Sequence, residues 1–335
     1  MVTASAPGKV ILFGEHAALY DKLVVATAID RRTFVTVESA DDGCVHLSST
    51  RFGQATFHLN TLDSVVDTID RLKEQRDFAR LQSLATDPFF PLQYLVGKTV
   101  QKCIPSTGLI ISIQGETYKN LGSGSAVFAA LSLALRTSLG ASSDLETLSA
   151  AAYIGDTLAH GIFPSGIDNR TVTYGGYVAL RSGNHHSFSL QTPFHLLIID
   201  SGTEQKTFQP VQRVRELYQC TPLRVEQVMD QLDAISHTGI IALLAGDVAG
   251  VGTAFTRFYH TLHTLDLSTP ALDEIVYLGL RAGCSGVKPT GSWGGGNCIA
   301  LVRDVSELSS LAEVYTKAGY TAFPVQVGCP GVRLE

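Results

Sequence analysis

The stretch Ala6-Pro7-Gly8-Lys9-Val10-Ile11-Leu12-Phe13-Gly14-Glu15-His16-Ala17-Ala18-Leu19-Tyr20 decides how the rest of the chain is read. Its middle, 10–13, is an unbroken apolar run of the length of a short buried strand. Lys9 stands between a glycine and that strand, which is a poor place for a simple surface charge. Gly14 then turns the chain, and Glu15 and His16 put two titratable groups at the strand's end. Titratable side chains gathered at the end of a buried strand point to a site, not to a solvated turn.

Working outward, further short strands are expected at 3–6, 24–28, 33–38, 45–47, 55–59 and 109–113, where β-branched residues recur. Residues 64–84 alternate charge with leucine and read as one partly exposed helix, and 88–103 as a second, with Pro88 near its start. The small-residue loop Leu121-Gly122-Ser123-Gly124-Ser125-Ala126 opens into a strongly apolar helix that runs to Leu139. Such a loop lets the backbone wrap a phosphate, with free N–H groups and the positive end of the helix dipole pointing at it. The next helix should start at a capping box, Ser143 with Glu146, and end near His160. On it, Asp156 and His160 lie four apart and share a face. The loop Pro164-Ser165-Gly166-Ile167-Asp168-Asn169 follows, then a strand at 177–180.

Ser182-Gly183-Asn184 reads as the domain boundary, which divides the chain into 1–183 and 184–335. Beyond it come strands at 194–199, 298–302 and 321–327 and helices at 210–220, 223–244, 247–262, 271–282 and 305–318. Helices and strands mix without regular alternation, so the expected class is α+β and not a doubly wound sheet. A second glycine cluster, Gly291-Ser292-Trp293-Gly294-Gly295-Gly296, can bend sharply or approach a ligand, and Lys288, Thr290 and Ser292 add polar groups to it.

A formal charge of −6 over 335 residues argues against a nucleic-acid ligand. The longest apolar stretch, 126–135, is half of what a bilayer span requires, so a soluble, intracellular protein is expected. The six scattered cysteines have neither disulfide-framework nor zinc spacing. Gly97-Lys98-Thr99 resembles the end of a Walker loop, but position 92 is Leu92 where that loop needs glycine.

Taken together, the opening run, the small-residue loop, the 164–169 loop and the second glycine cluster resemble the GHMP small-molecule kinases from Ala4 to about Val302. That resemblance implies a ribosomal-S5-like N-terminal domain, a ferredoxin-like C-terminal domain and a site between them. It implies ATP-dependent phosphorylation of a primary hydroxyl, with mevalonate as acceptor, because the opening run and the 164–169 loop fit that branch best. Galactokinases usually follow Gly-Glu-His with an element absent here. Another family acceptor (phosphomevalonate or a sugar), or a sensor without catalysis, are the alternatives.

Carried over by position, Asp168 is the catalytic base or orients the hydroxyl, and Lys9 pairs with it and with the developing alkoxide. His16, Glu15, Ser165, Gly166 and Tyr174 would surround the acceptor. Leu121, Gly122, Ser123, Gly124, Ser125 and Ala126, with Gly291, Gly294 and Gly295, would hold ATP. Mg²⁺ would be held by Ser125 and by Asp156, where the family usually has glutamate. The loop departs from the family's Gly-Leu-Gly-Ser-Ser-Ala: aligned on Ser-Ala the metal ligand is Ser125, aligned on Leu-Gly it is Ser123. Trp293 puts a bulky side chain into a loop that should approach ATP. A homodimer and feedback inhibition by isoprenoid diphosphates also follow from the resemblance. So does a cytosolic location, although Lys9-Val10 and His16-Ala17 match the ends of an N-terminal peroxisomal address.

Overall fold

The computed structural model describes residues 1–75, 77–84, 87–102, 107–115, 120–160, 164–192, 194–203 and 208–335. The opening run is part of one long strand, β1 (Val2–Phe13), paired antiparallel with an equally continuous β2 (Val24–Ala40). Two shorter strands were expected in each place. A register shift between Pro7 and Gly8 explains the difference. Proline has no N–H to give the ladder, so the pair bulges there without ending.

The first lobe completes an eight-stranded sheet with β3 (Cys44–Ser49), β4 (Gly53–His58), β5 (Gly108–Gly115), β6 (Tyr177–Arg181) and β7 (Asn184–Phe188), together with a short last strand described below. β3 and β5 run parallel and the other pairs antiparallel. Its helices are α1 (Leu62–Glu74), α2 (Phe78–Leu84), α3 (Phe90–Val100), α4 (Ser123–Ser138), α5 (Leu145–His160) and α6 (Ile167–Tyr174). The single helix expected over 64–84 is thus two. Helix α3 stops at Val100, and Cys103, its expected end, lies outside the described residues. Gly97 is a packing glycine: a Cβ there would lie 2.7 Å from Val66 of α1, and Lys98 donates to Asp70 at 2.7 Å. The Walker-like triplet is therefore part of the packing of α3 against α1. The cap of α5 is Asp144, which accepts from the Thr147 N–H at 2.7 Å, not Ser143. The turn at 182–183 joins β6 to β7 as a hairpin, so the first sheet continues to Phe188.

The second lobe contains β8 (His195–Asp200), α7 (Phe208–Cys220), α8 (Pro222–Leu244), α9 (Val248–His263), α10 (Pro270–Arg281), β9 (Gly286–Pro289), β10 (Asn297–Val302), α11 (Glu307–Lys317) and β11 (Thr321–Val325). Its antiparallel sheet has the order β11-β8-β10-β9. Two lobes of mixed, segregated helices and sheets make the architecture α+β, as expected.

The lobes share a core. Phe13, at the end of β1, packs edge-on against Phe255 and Phe258 of α9, with ring centroids 5.3 and 6.5 Å away. Gly239 of α8 makes room, because an added Cβ would lie 2.4 Å from the Phe13 ring. The chain then returns to its start. β12 (Arg333–Leu334) pairs with β1 at Ala4 and Ser5, and the Val332 N–H donates to the Thr173 carbonyl at the end of α6. Among the described residues no helix is long and apolar enough to cross a membrane, and the five described cysteines are free thiols.

Candidate active site

β1 delivers Lys9 to a cleft of about 510 Å³ between the lobes. The Lys9 N–H donates to the Leu121 carbonyl at 2.8 Å, which fixes the small-residue loop against β1. Gly122, at φ +75°, opens α4, and a Cβ there would fall 2.7 Å from Lys9 Cγ. Any other residue would therefore displace the lysine. The buried Lys9 ammonium lies 2.9 Å from Asp168 Oδ1.

Asp168 sits in the first turn of α6, where the helix dipole favours a carboxylate. Asn169, beside it, donates to the carbonyl and hydroxyl of Ser149 and so pins α6 to α5. Ser125, in the first turn of α4, donates to Asp156 Oδ2 of α5. Burial, with Asp168's charge adding to it, pushes the Asp156 carboxyl up to about 8, against the opposing pull of Ser125 and Lys9. Four elements thus meet at one point: β1 with its lysine, the N-terminus of α4, and α5 and α6 with one carboxyl each.

The opening run also ties the lobes together beside this point. Glu15 and Lys288 of β9 form an ion pair with both side chains fully buried, and Thr290 Oγ1 accepts from the Ile11 N–H at 2.9 Å. Glu15 is thereby committed to Lys288. His16, at φ +61°, places Nε2 2.8 Å from the Ser292 carbonyl. A carbonyl only accepts, so Nε2 carries the proton and Nδ1 is an acceptor, buried and without a hydrogen-bond partner. Burial holds the imidazole neutral, with its pKa lowered to about 4.

Of the residues expected at the site, Lys9, Glu15, His16, Gly122, Ser123, Gly124, Ser125, Asp156, Ser165, Asp168 and Gly291 line the cleft. Leu121 and Ala126 are buried behind it and frame the loop. Gly166 caps α6 in the left-handed region, off the cleft wall. Tyr174 also lies away from the cleft: its hydroxyl donates to Glu146 at 2.7 Å and its ring packs on His185. It is six residues beyond Asp168, so about 9 Å along the helix. Gly294 and Gly295 turn away as well, Gly295 closing against Thr203. Trp293 does not obstruct the cleft. Its backbone is left-handed and its ring is buried against Tyr259, at 5.9 Å between centroids.

The cleft also contains Asn120, at the head of the small-residue loop, and two residues that the sequence did not single out, Arg51 at the β3–β4 turn and Arg215 of α7. An arginine in a hairpin turn or on an exposed helix face has no local pattern that separates it from a solubilising charge. Arg215, His16 and Ser165 also line an adjoining chamber of about 550 Å³.

The donors around Asp156 are all oxygens, the set that suits a hard divalent cation. Burial, and after it the charge of Asp168, disfavour an ionised Asp156, and a cation bound there would offset both. Among the described residues no group of three or more His, Cys, Asp or Glu could hold a metal. Mg²⁺ would thus rest on Ser125 and Asp156, with phosphate and water completing its shell.

Two family descriptions match the chain: "GHMP kinases C terminal" over residues 240–321, and "Galactokinase galactose-binding signature" over residues 2–39. Fold, site and matches together make the chain a small-molecule kinase with the GHMP kinase fold. More particularly, the chain resembles mevalonate kinases along its whole length. It is 29% identical to the mevalonate kinase of Aeropyrum pernix, covering 99% of this chain and 98% of that one, and 26% identical to the human enzyme, covering 100% and 95%. Among solved structures, the Methanococcus jannaschii mevalonate kinase superposes with a TM-score of 0.81 at 21% identity, covering 97% of both chains. The L. major mevalonate kinase in complex with R-mevalonate does so at 0.77 and 22%, covering 97% and 95%.

Proposed function

We propose that the chain transfers the γ-phosphoryl group of ATP to the primary hydroxyl of mevalonate, giving 5-phosphomevalonate. The observation that carries this reading is the Lys9–Asp168 pair, 2.9 Å apart, in the cleft that the Gly122–Ser125 loop also lines. Phosphoryl transfer asks mainly for positioning and charge neutralisation. The backbone N–H groups at the start of α4 grip the phosphates. The acceptor oxygen attacks the γ-phosphorus as the bond to ADP breaks, and its proton passes to Asp168. Lys9 offsets the charge that develops on that oxygen. Mg²⁺, held by Ser125 and Asp156, would neutralise phosphate charge when bound.

Full-length likeness to mevalonate kinases, one of them solved with R-mevalonate, supports the choice of acceptor. Arg215, at the neck of the second chamber, is a cation suited to the acceptor's carboxylate. The proposal includes a homodimer, feedback inhibition by isoprenoid diphosphates and a cytosolic location. Lys9 and His16 are 4% and 7% exposed, so an organelle address built on them would be hidden in the folded chain.

Incubation with labelled ATP, Mg²⁺ and a panel of mevalonate, phosphomevalonate, homoserine and galactose tests the reading. Label should pass to mevalonate alone. Asp168→Asn should abolish transfer while ATP still binds. Transfer to another acceptor, ATP hydrolysis with no transfer to any, or an active Asp168→Asn protein would each refute it.

A further inference from the structure

Arg51 lies in the cleft in an arrangement that its own surroundings do not satisfy. It sits in the two-strand turn between β3 and β4, exposed, and its Nη1 donates to Ser123 Oγ at 3.1 Å. Ser123 is the first residue of α4, so the guanidinium rests at that helix's N-terminal end. That end carries partial positive charge, and a cation beside it is repelled. No salt bridge joins Arg51 to a carboxylate among the described residues. Its guanidinium lies over the Phe52 ring, with the guanidinium carbon 5.2 Å from the ring centroid. A cation steadied by an aromatic ring against a positive helix end, without an acid to neutralise it, is an electrostatic conflict that an anion between them would resolve.

Resting on the phosphotransferase reading, we infer that Arg51 is a nucleotide-binding residue that contacts ATP beyond its first phosphate. Its planar fork matches phosphate oxygens bidentately, which a lysine cannot do. The Ser123 hydroxyl keeps the guanidinium aimed at the loop until the nucleotide arrives. The β3–β4 turn thus forms part of the wall of the phosphate site, in the same cleft as Lys9 and Asp168.

Equilibrium binding of ATP, ADP and AMP to the wild-type chain, Arg51→Ala and Arg51→Lys tests this without any acceptor. Arg51→Ala should weaken ATP and ADP by about tenfold or more while leaving AMP unchanged. Arg51→Lys should fall between wild type and Arg51→Ala. Thermal melting without nucleotide should be the same for all three, since an exposed turn residue carries little of the fold. Unchanged ATP affinity in Arg51→Ala, or an equal loss for ATP and AMP, overturns the assignment of Arg51 and leaves the kinase reading standing. A wild-type chain that binds none of the three nucleotides overturns both.

Discussion

His16 offers a prediction whose size follows from its surroundings. Its ring is buried, Nε2–H is committed to the Ser292 carbonyl, and burial lowers its pKa from 6.5 to about 4. In the unfolded chain the same imidazole takes up its proton near 6.5. A depressed folded-state pKa gives stability that is whole above pH 6.5 and is lost as pH falls toward 4. The difference of about 2.5 pH units, at 1.36 kcal/mol each, is worth about 3 kcal/mol in full, and about 2–3 kcal/mol by pH 4.5. Acidic residues titrate over the same range, so the useful quantity is a difference between two proteins. Urea unfolding of wild type and His16→Asn, in steps from pH 7.5 to 4.5, gives it directly. The wild-type protein should lose about 2–3 kcal/mol more than the variant across that range. Parallel loss in the two proteins would mean that the imidazole charges normally in the folded state. The neutral acceptor assigned to Nδ1 would then be untenable.

Two further predictions concern the cleft and the buried ion pair beside it. Gly122→Ala combines a left-handed backbone with a Cβ 2.7 Å from Lys9 Cγ. It should reduce stability by about 1–3 kcal/mol and lower kcat, and an alanine variant with wild-type unfolding and turnover would contradict the close approach. Lys288→Met strands the buried Glu15 carboxylate, which should lower unfolding free energy by about 3–5 kcal/mol. Adding Glu15→Gln should recover most of that loss, whereas additive losses in the double-mutant cycle would show that the two charges do not sense each other.

The site was more legible in the sequence than the elements that carry it. Lys9 stood out because a cation between a glycine and an apolar strand is poorly placed for a surface role, whereas Asp156 and Asp168 drew their expected roles from the family resemblance. Helix α6 was not anticipated, because Thr171, Val172 and Thr173 are poor helix formers and the helix holds through Asn169 and through its packing on α5. β7 and β12 escaped because pairing partners far along the chain, and not local pattern, make such short or polar segments into strands. The steric conflict expected of Trp293 vanished because its left-handed backbone turns the indole into the second lobe's core. Arg51 and Arg215 reach the cleft by juxtaposition that no local pattern shows.

Synthesis on the ribosome gives the β12 return another meaning. The seat of Gly331 is so tight that a Cβ would lie 2.1 Å from the Thr173 carbonyl, and the adjoining strand covers the edge of β1. Neither can form until everything from β8 to β11 has been translated. The catalytic half of the molecule must therefore wait, with one sheet edge bare, for the other half to emerge. A chain severed between the lobes would leave that edge open to pair with a stranger.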